Sequence, residues 1–385
     1  MLRSLEDFRA SIENLLTHLK YEKSSNSFFR DGLKKSNGDT EFEVEFREFV
    51  ETIVGDAVSR TKIYSYQNAI ICLYGYLERF IEDIIVEYLK CVSEVCQDFT
   101  SLPKAIRKNH LSLSMDFINK IQRAKGWSPH DTKARLTKAV RNMNHFLAEE
   151  GEPKINYEAF TSHTSNFRYD TIHEIFTKIG IDAVSKQCLD DPELITALCE
   201  KHGLDLDTEP KIFISLLTAE LDDLAQRRNE IAHGVRIDEI DSIDLTISRI
   251  NLILSYANAI GKVIELSITE HLFSVSNKFL IGKPDCIFPR INVIGFSGIK
   301  QLAPNGSTGT ITVGDTIIAV NQNSSTKHIH GKIVSLKHNG NDRLSVPIPC
   351  DEDVSMQLNF EPSGRFQNRS VYLLFKDRPA AATVN

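Results

Sequence analysis

The sequence predicts a mainly α-helical protein, a helical bundle followed by a small antiparallel β-barrel or sandwich domain. Over roughly the first 275 residues, apolar side chains recur mostly at spacings of three and four, as on one face of a helix. From about residue 276 the chain changes to short runs rich in β-branched residues, such as TITVGDTIIAV and SVYLLF, separated by Gly, Asn, Asp and Pro. A length of 385 residues, with 41% hydrophobic and 25% charged side chains, suits a folded protein of two or three domains.

The helical part begins with an amphipathic helix over residues 1 to about 20, and the polar segment EKSSNSFFRDGLKKSNGD that follows is typical of a loop. Residues 41–96 again show helical periodicity. We therefore predict three regions: 1–44, an N-terminal helix and polar linker; 45–275, the helical domain; and 276–385, the β-rich domain.

Four segments complete the helical domain. Residues 166–180 predict a short helix that ends at Gly180, and the acidic residues 181–210 predict an irregular insertion. A helix is expected over about 210–233, and a last long helix over about 240–273.

Charge and cysteine usage narrow the class of protein. The formal net charge is −7, so any nucleic-acid site must be a local basic patch. The seven cysteines form no C-x-x-C pair, which favours a reducing cytoplasm over a disulfide framework or a zinc site. The N-terminus lacks the apolar core of a signal peptide, and the apolar stretch 69–89 is interrupted by charges. We expect a cytoplasmic protein without a membrane span, metal or other cofactor.

Residues 104–141 provide a candidate basic patch, with ten lysines and arginines against two aspartates. Lys120, Arg123, Lys125 and Trp127 are its candidate RNA-binding residues, because cations suit the phosphate backbone and an aromatic ring can stack on a base. The alternative is a solvated helix face.

The most informative segment is Arg228-Asn229-Glu230-Ile231-Ala232-His233-Gly234. On a helical wheel Arg228 falls within the apolar stripe of Leu217, Leu221, Leu224 and Ile231, where an arginine is costly unless its donors are occupied. Arg227 falls at the edge of the stripe, where it can reach water.

These residue types suit RNA cleavage by the 2′-hydroxyl. His233 can transfer protons at neutral pH, and Arg228 can stabilise the charge that grows on the phosphate. Asn229 can orient the imidazole or the phosphate, and Gly234 can end the helix. The alternative is an ordinary helix C-terminus at which His233 is a favourable dipole partner.

The motif, followed by one more long helix, resembles the signature of the HEPN superfamily of ribonucleases. Together with SNFRYDTIHEIFTKIGID and LYGYLERFIEDII, it resembles the RiboL-PSP-HEPN type over about 45–275. The resemblance implies a metal-independent endoribonuclease with catalytic Arg228, Asn229 and His233. Such enzymes leave a 2′,3′-cyclic phosphate and a 5′-hydroxyl, usually act as homodimers, and often serve as toxins or antiphage effectors.

Two alternatives stay open for the function. The chain can be a non-catalytic HEPN scaffold that binds RNA or a partner protein, or a toxin that a regulatory antitoxin masks. The small residues Thr218, Ala225 and Ala232, seven apart, suit close helix packing across a dimer or within one protomer.

Several single residues are ambiguous. Glu78 is a weak candidate for orienting Arg228 or His233, and a surface charge is the favoured interpretation. Asn166 and Arg168 are placed either to contact RNA or to cap the helix that follows. His328 and His330 alternate as on one face of a strand, which predicts a solvated face and not a metal site.

Overall fold

The computed structural model describes residues 2–96, 98–149, 151–163, 166–235, 240–300, 309–321, 328–362 and 364–375. Contacts divide the chain into two compact units. The first consists of Met1–Lys90, Lys104–Ala148 and Lys154–Ile264, and the second of Cys91–Pro103, Glu149–Pro153 and Glu265–Asn385.

The chain is mainly helical, as the sequence predicts. In order, the α-helices are α1 Arg3–Lys35, α2 Glu41–Phe49, α3 Gly55–Glu94, α4 Lys104–Arg123, α5 Pro129–Ala148, α6 Tyr157–Thr161, α7 Tyr169–Lys178, α8 Val184–Cys188, α9 Pro192–His202, α10 Pro210–Ala232 and α11 Ile243–Val275. A π-helical turn, Val50–Val54, joins α2 to α3.

Helix α1 continues through the segment that we predicted to be a loop. The polar run after residue 20 is helical to Lys35, because its aromatic residues find tertiary partners. The ring of Phe29 lies 6.4 Å from that of Phe49, and the ring of Phe46 packs against Gly32, where a Cβ would come within 2.7 Å of it. Such contacts override the modest helix propensities of serine and asparagine.

Helix α3 contributes many buried side chains to the core of the first unit. The residues whose spacing predicts a buried helical face are all buried: Leu73, Leu77, Ile81, Ile84, Ile85 and Tyr88. Helix α1 packs against α11 at a close contact, where a Cβ on Gly261 would approach Leu5 Cδ2 to 2.7 Å.

The predicted irregular insertion at 181–210 is wrong, because α8 and α9 lie there and bury Val184, Cys188 and Leu194. Asp191 caps α9 with a hydrogen bond from the Glu193 N–H, 3.1 Å long. The acidic composition of this segment obscured ordinary helix signals, which include a proline in the first turn and a glycine at the C-cap.

The predicted helices over 210–233 and 240–273 are confirmed by α10 and α11. Gly234 has a φ of 67° and ends α10, as expected. Helix α11 is long and apolar enough to cross a membrane by composition alone. However, 56% of its most apolar window is buried inside the protein, as in a core helix.

The second unit contains the predicted antiparallel strands. They are β1 Asn277–Gly282, β2 Cys286–Phe288, β3 Val293–Phe296, β4 Gly309–Thr312, β5 Thr316–Val320, β6 His328–His338, β7 Asn341–Arg343, β8 Ser345–Ile348, β9 Val354–Leu358 and β10 Ser370–Phe375. The main sheet has the order β1-β10-β5-β6-β9-β3-β2, β7 pairs with β6, and β4 pairs with β8.

Alternate side chains of these strands form one apolar core, which includes Phe279, Ile317 and Leu373. Within the described ranges the strands do not close into a barrel. Residues 301–308, 322–327 and 376–385 of the predicted β domain lie outside those ranges.

The solvated face expected for His328 and His330 is wrong. The His330 ring hydrogen-bonds Thr269, and burial lowers the pKa of His330. The ring of His328 lies 5.0 Å from that of Phe273, and its Nδ1 lies 4.0 Å from Glu270 Oε1. Period-two alternation identified a shared strand face correctly, but it carries no information about which element covers that face.

Candidate active site at the end of α10

The motif residues lie in the last turns of α10. Arg228 and Asn229 are half-buried, and His233 is the exposed C-cap residue. The His233 backbone N–H donates to the Asn229 carbonyl at 3.0 Å, so the final turn stays regular up to the histidine. Five residues of helix separate Arg228 from His233 by a rise of about 7.5 Å.

Arg228 contacts an aromatic ring and two amides. Its guanidinium carbon lies 4.9 Å from the ring centroid of Tyr74, and its Nη1 donates to Asn229 Oδ1 at 3.2 Å and to Asn166 Oδ1 at 3.4 Å. Asn229 therefore orients the arginine, where the sequence left the imidazole and the phosphate as its targets. Among the described residues, no carboxylate lies within ion-pair distance of Arg228.

We predicted that Arg227 reaches water, but its side chain binds other residues of the protein. Its Nε donates to Asp223 Oδ2 at 2.8 Å, its Nη1 donates to the Tyr66 hydroxyl at 2.6 Å, and Asp241 lies 3.8 Å away. Neighbouring Arg249, whose side chain is 7% exposed, shares both aspartates. Arg227 thus belongs to a charge network that joins α10 to α3 and α11. The prediction missed this network because a helical wheel gives the direction of a side chain and not the acidic residues of other elements that it contacts.

Glu78 is half-buried and lies near His163 and Arg228. Its side chain is 30% exposed, and its Oε1 lies 4.0 Å from His163 Nε2. Burial raises the pKa of Glu78, nearby Glu82 also raises it, and the positive charges of His163 and Arg228 act to lower it. The carboxylate therefore lies within electrostatic range of Arg228 without direct contact.

Two residues near the motif, Tyr74 and His163, were not predicted from the sequence. The Phe167 backbone N–H donates to the Tyr74 hydroxyl at 2.8 Å, so Tyr74 joins Arg228 to the segment before α7. His163 Nε2 lies 3.2 Å from Glu82 Oε1, and its ring lies 4.2 Å from that of Phe167. The signal for this face was the four-residue spacing of Tyr74, Glu78 and Glu82 on α3.

Arg168 lies on the same side of the unit but does not use its side chain as a cap. It is the N-cap residue of α7, and its Nη2 donates to Gln226 Oε1 at 2.9 Å. The free N–H of Tyr169 donates instead to Asp222 Oδ1 at 3.1 Å, so α10 supplies the cap. Asn166 binds Arg228, as described above.

The basic segment forms the pair of helices α4 and α5. Lys120 Nζ donates to Ser162 Oγ at 3.2 Å, which places one cation of this pair beside the residue before His163. Arg123 and Lys125 are exposed. Trp127 is 37% exposed, and the Arg135 guanidinium lies 4.3 Å from its ring centroid, so one face of the indole is already covered.

The arrangement offers a fixed guanidinium, an exposed imidazole and a second histidine held by carboxylates. A guanidinium whose partners are neutral can donate hydrogen bonds to a phosphate oxygen without first releasing an ion pair. In the described part of the chain, no group of three or more His, Cys, Asp or Glu side chains is placed to hold a metal ion.

Comparison with known proteins gives one match. The family model described as RiboL-PSP-HEPN matches residues 7–266, which extends the resemblance seen in the sequence towards the N-terminus and includes α1. No curated protein matches the chain. No solved structure matches it either.

Proposed function

Since the chain belongs to the RiboL-PSP-HEPN family, we propose that it is a metal-independent endoribonuclease. His233 transfers a proton, Arg228 stabilises the negative charge that develops on the phosphate, and Asn229 holds Arg228 in place. The products are a 2′,3′-cyclic phosphate and a 5′-hydroxyl.

The observation that carries this proposal is the environment of Arg228. Arg227 lies in a network of carboxylates, whereas Arg228 has a ring and two amide oxygens. A cation that is positioned but not neutralised by a direct ion pair is what the charge of a phosphorane requires. Such a cation adds little to stability, since half-burying a guanidinium that has no carboxylate partner among the described residues has a desolvation cost.

A homodimer is part of the proposal. Of the small residues in the expected seam, Ala225 is buried, Thr218 is half-buried and Ala232 is exposed. Val235, just beyond the helix, is 51% exposed. A second copy would therefore approach at the exposed end of α10, beside His233, where it can complete a cleft around the motif.

The biological setting follows from the same proposal. A cytoplasmic ribonuclease of this kind would act as a toxin or an antiphage effector, and an antitoxin or another regulatory protein would hold it inactive. RNA is the proposed substrate, and the basic pair α4 and α5 provides its electrostatic attraction.

The test is the chemistry of the products. Purified protein is incubated with total RNA and tRNA in excess EDTA, and new ends are probed for 2′,3′-cyclic phosphate. A short RNA with a single 2′-deoxy nucleotide at the mapped cleavage position serves as the matched control. We expect cleavage of the RNA and none at the deoxy position, because the nucleophile is missing there.

RNA that binds but stays intact would overturn the nuclease assignment and favour the non-catalytic scaffold. In that case Arg228→Ala would weaken RNA binding, since the guanidinium would still contact phosphate.

A further inference from the structure

His163 is a histidine built into the same site by contacts outside the motif. Its side chain is 17% exposed, its Nε2 lies 3.2 Å from Glu82 Oε1 and 4.0 Å from Glu78 Oε1, and its ring meets the edge of Phe167. A carboxylate on one ring nitrogen fixes the orientation of an imidazole.

The contacts of Arg228 connect the two residues. Asn166, three residues after His163, accepts a hydrogen bond from Arg228. Tyr74 contacts Arg228 through its ring and Phe167 through its hydroxyl. Glu78 lies within electrostatic range of both His163 and Arg228. His163 therefore contacts Glu82 of α3, and Asn166, three residues later, contacts Arg228 of α10.

The reaction needs two proton transfers. One group must accept the 2′-hydroxyl proton, and another must protonate the 5′-oxygen that leaves. We propose that His163 is the general acid of the cleavage reaction, with Glu82 as its positioning residue. This inference rests on the proposed ribonuclease function and adds a catalytic residue to it.

In the proposed step, His233 accepts the 2′-hydroxyl proton while the 2′-oxygen attacks phosphorus. The bond between phosphorus and the 5′-oxygen breaks, and the imidazolium of His163 gives its proton to that oxygen. The products are the cyclic phosphate and the 5′-hydroxyl, with one proton gained by His233 and one lost by His163. Exchange with water restores both rings.

A substrate with sulfur in place of the bridging 5′-oxygen tests this role, because a thiolate leaves without being protonated. Single-site RNAs with 5′-oxygen or 5′-sulfur are cleaved by wild type, His163→Ala, Glu82→Gln and His233→Ala. His18→Ala is the matched control, since this exposed ring lies on α1, outside both the motif and the basic pair of helices. Thermal melting checks that each variant is folded.

We expect His163→Ala to cleave the oxygen substrate about a hundredfold or more slowly, and to cleave the sulfur substrate at close to the wild-type rate. Glu82→Gln should show the same pattern more weakly, and it keeps the inference testable if His163→Ala fails to fold. His233→Ala should stay slow on both substrates.

Equal slowing of His163→Ala on both substrates, or no slowing on either, would overturn the role of His163 and leave the ribonuclease intact. Failure of wild type to cleave either substrate would instead overturn the proposed function itself.

Discussion

Adjacent arginines on α10 provide a sharp test, because they have different partners in the structure and different proposed roles. Arg228→Ala removes one contact with the Tyr74 ring and two long hydrogen bonds to amides. A cation–π contact at a partly exposed site contributes about 0.5–1 kcal/mol. Long hydrogen bonds add little, and part of the loss is offset because the cation no longer has to be desolvated. The expected loss of folding stability is about 1 kcal/mol.

Arg227→Ala removes hydrogen bonds to Asp223 and Tyr66 from the charge network. Breaking a buried ion pair costs about 3–5 kcal/mol. The cost here should be smaller, about 2–3 kcal/mol, because Arg227 is 23% exposed and Arg249 still neutralises both aspartates. For a domain of this size we expect the melting temperature to fall by about 5–10 °C.

Activity should rank the two variants in the opposite order. Loss of a charge-stabilising donor slows catalysis by about 10²–10³-fold, so Arg228→Ala should be nearly inactive although folded. Arg227→Ala should keep most of its activity well below its melting temperature. Both are measured by calorimetry and by cleavage of a fluorescent RNA. An active Arg228→Ala variant, or an inactive but stable Arg227→Ala variant, would contradict the roles proposed for the two arginines.

Three further predictions concern stability and RNA binding. Burial lowers the pKa of His110 to about 4. Because the ring in the unfolded chain titrates near pH 6.5, the free energy of unfolding is highest above that pH. It falls towards pH 4 by up to about 1.4 kcal/mol per pH unit, since the unfolded chain binds the proton more readily. Urea unfolding across this range should show the loss, His110→Gln should flatten the curve, and an unchanged slope would contradict the prediction. Gly261→Ala should destabilise by about 1–3 kcal/mol because its Cβ meets Leu5, whereas Gly75→Ala, with nothing within 4 Å, should stabilise by about 0.5–1 kcal/mol. Equal unfolding midpoints for the two variants would contradict that contact. Lys120→Ala should weaken RNA binding and lower the slope of log K against log salt by about one, and an unaltered slope would remove Lys120 from the RNA path.

Long periodic helices were the predictable part of the fold. The apolar face of α3 and the glycine that ends α10 are local features, because spacing along the chain determines them directly. The second half of α1 was mistaken for a loop, since its helical state depends on aromatic contacts with α2. Residues 181–210 were mistaken for an insertion because their acidic composition outweighed the cap signals of α9.

Only the part of the candidate site that lies on α10 could be predicted from the sequence. Arg228, Asn229 and His233 are one segment of sequence, so they could be proposed together. Asn166 lies 62 residues before Arg228, and Phe167 lies 93 residues after the Tyr74 hydroxyl that it binds. No periodicity within one helix gives contacts of that separation. The same limit explains why Arg227 looked solvated before its aspartate partners were seen.

The most direct test of the proposed active site compares wild type, His233→Ala and His18→Ala on the same RNA in excess EDTA. We expect cyclic-phosphate ends from wild type and His18→Ala, and none from a folded His233→Ala. Equal cleavage by His233→Ala would contradict the assignment of the active site to the end of α10.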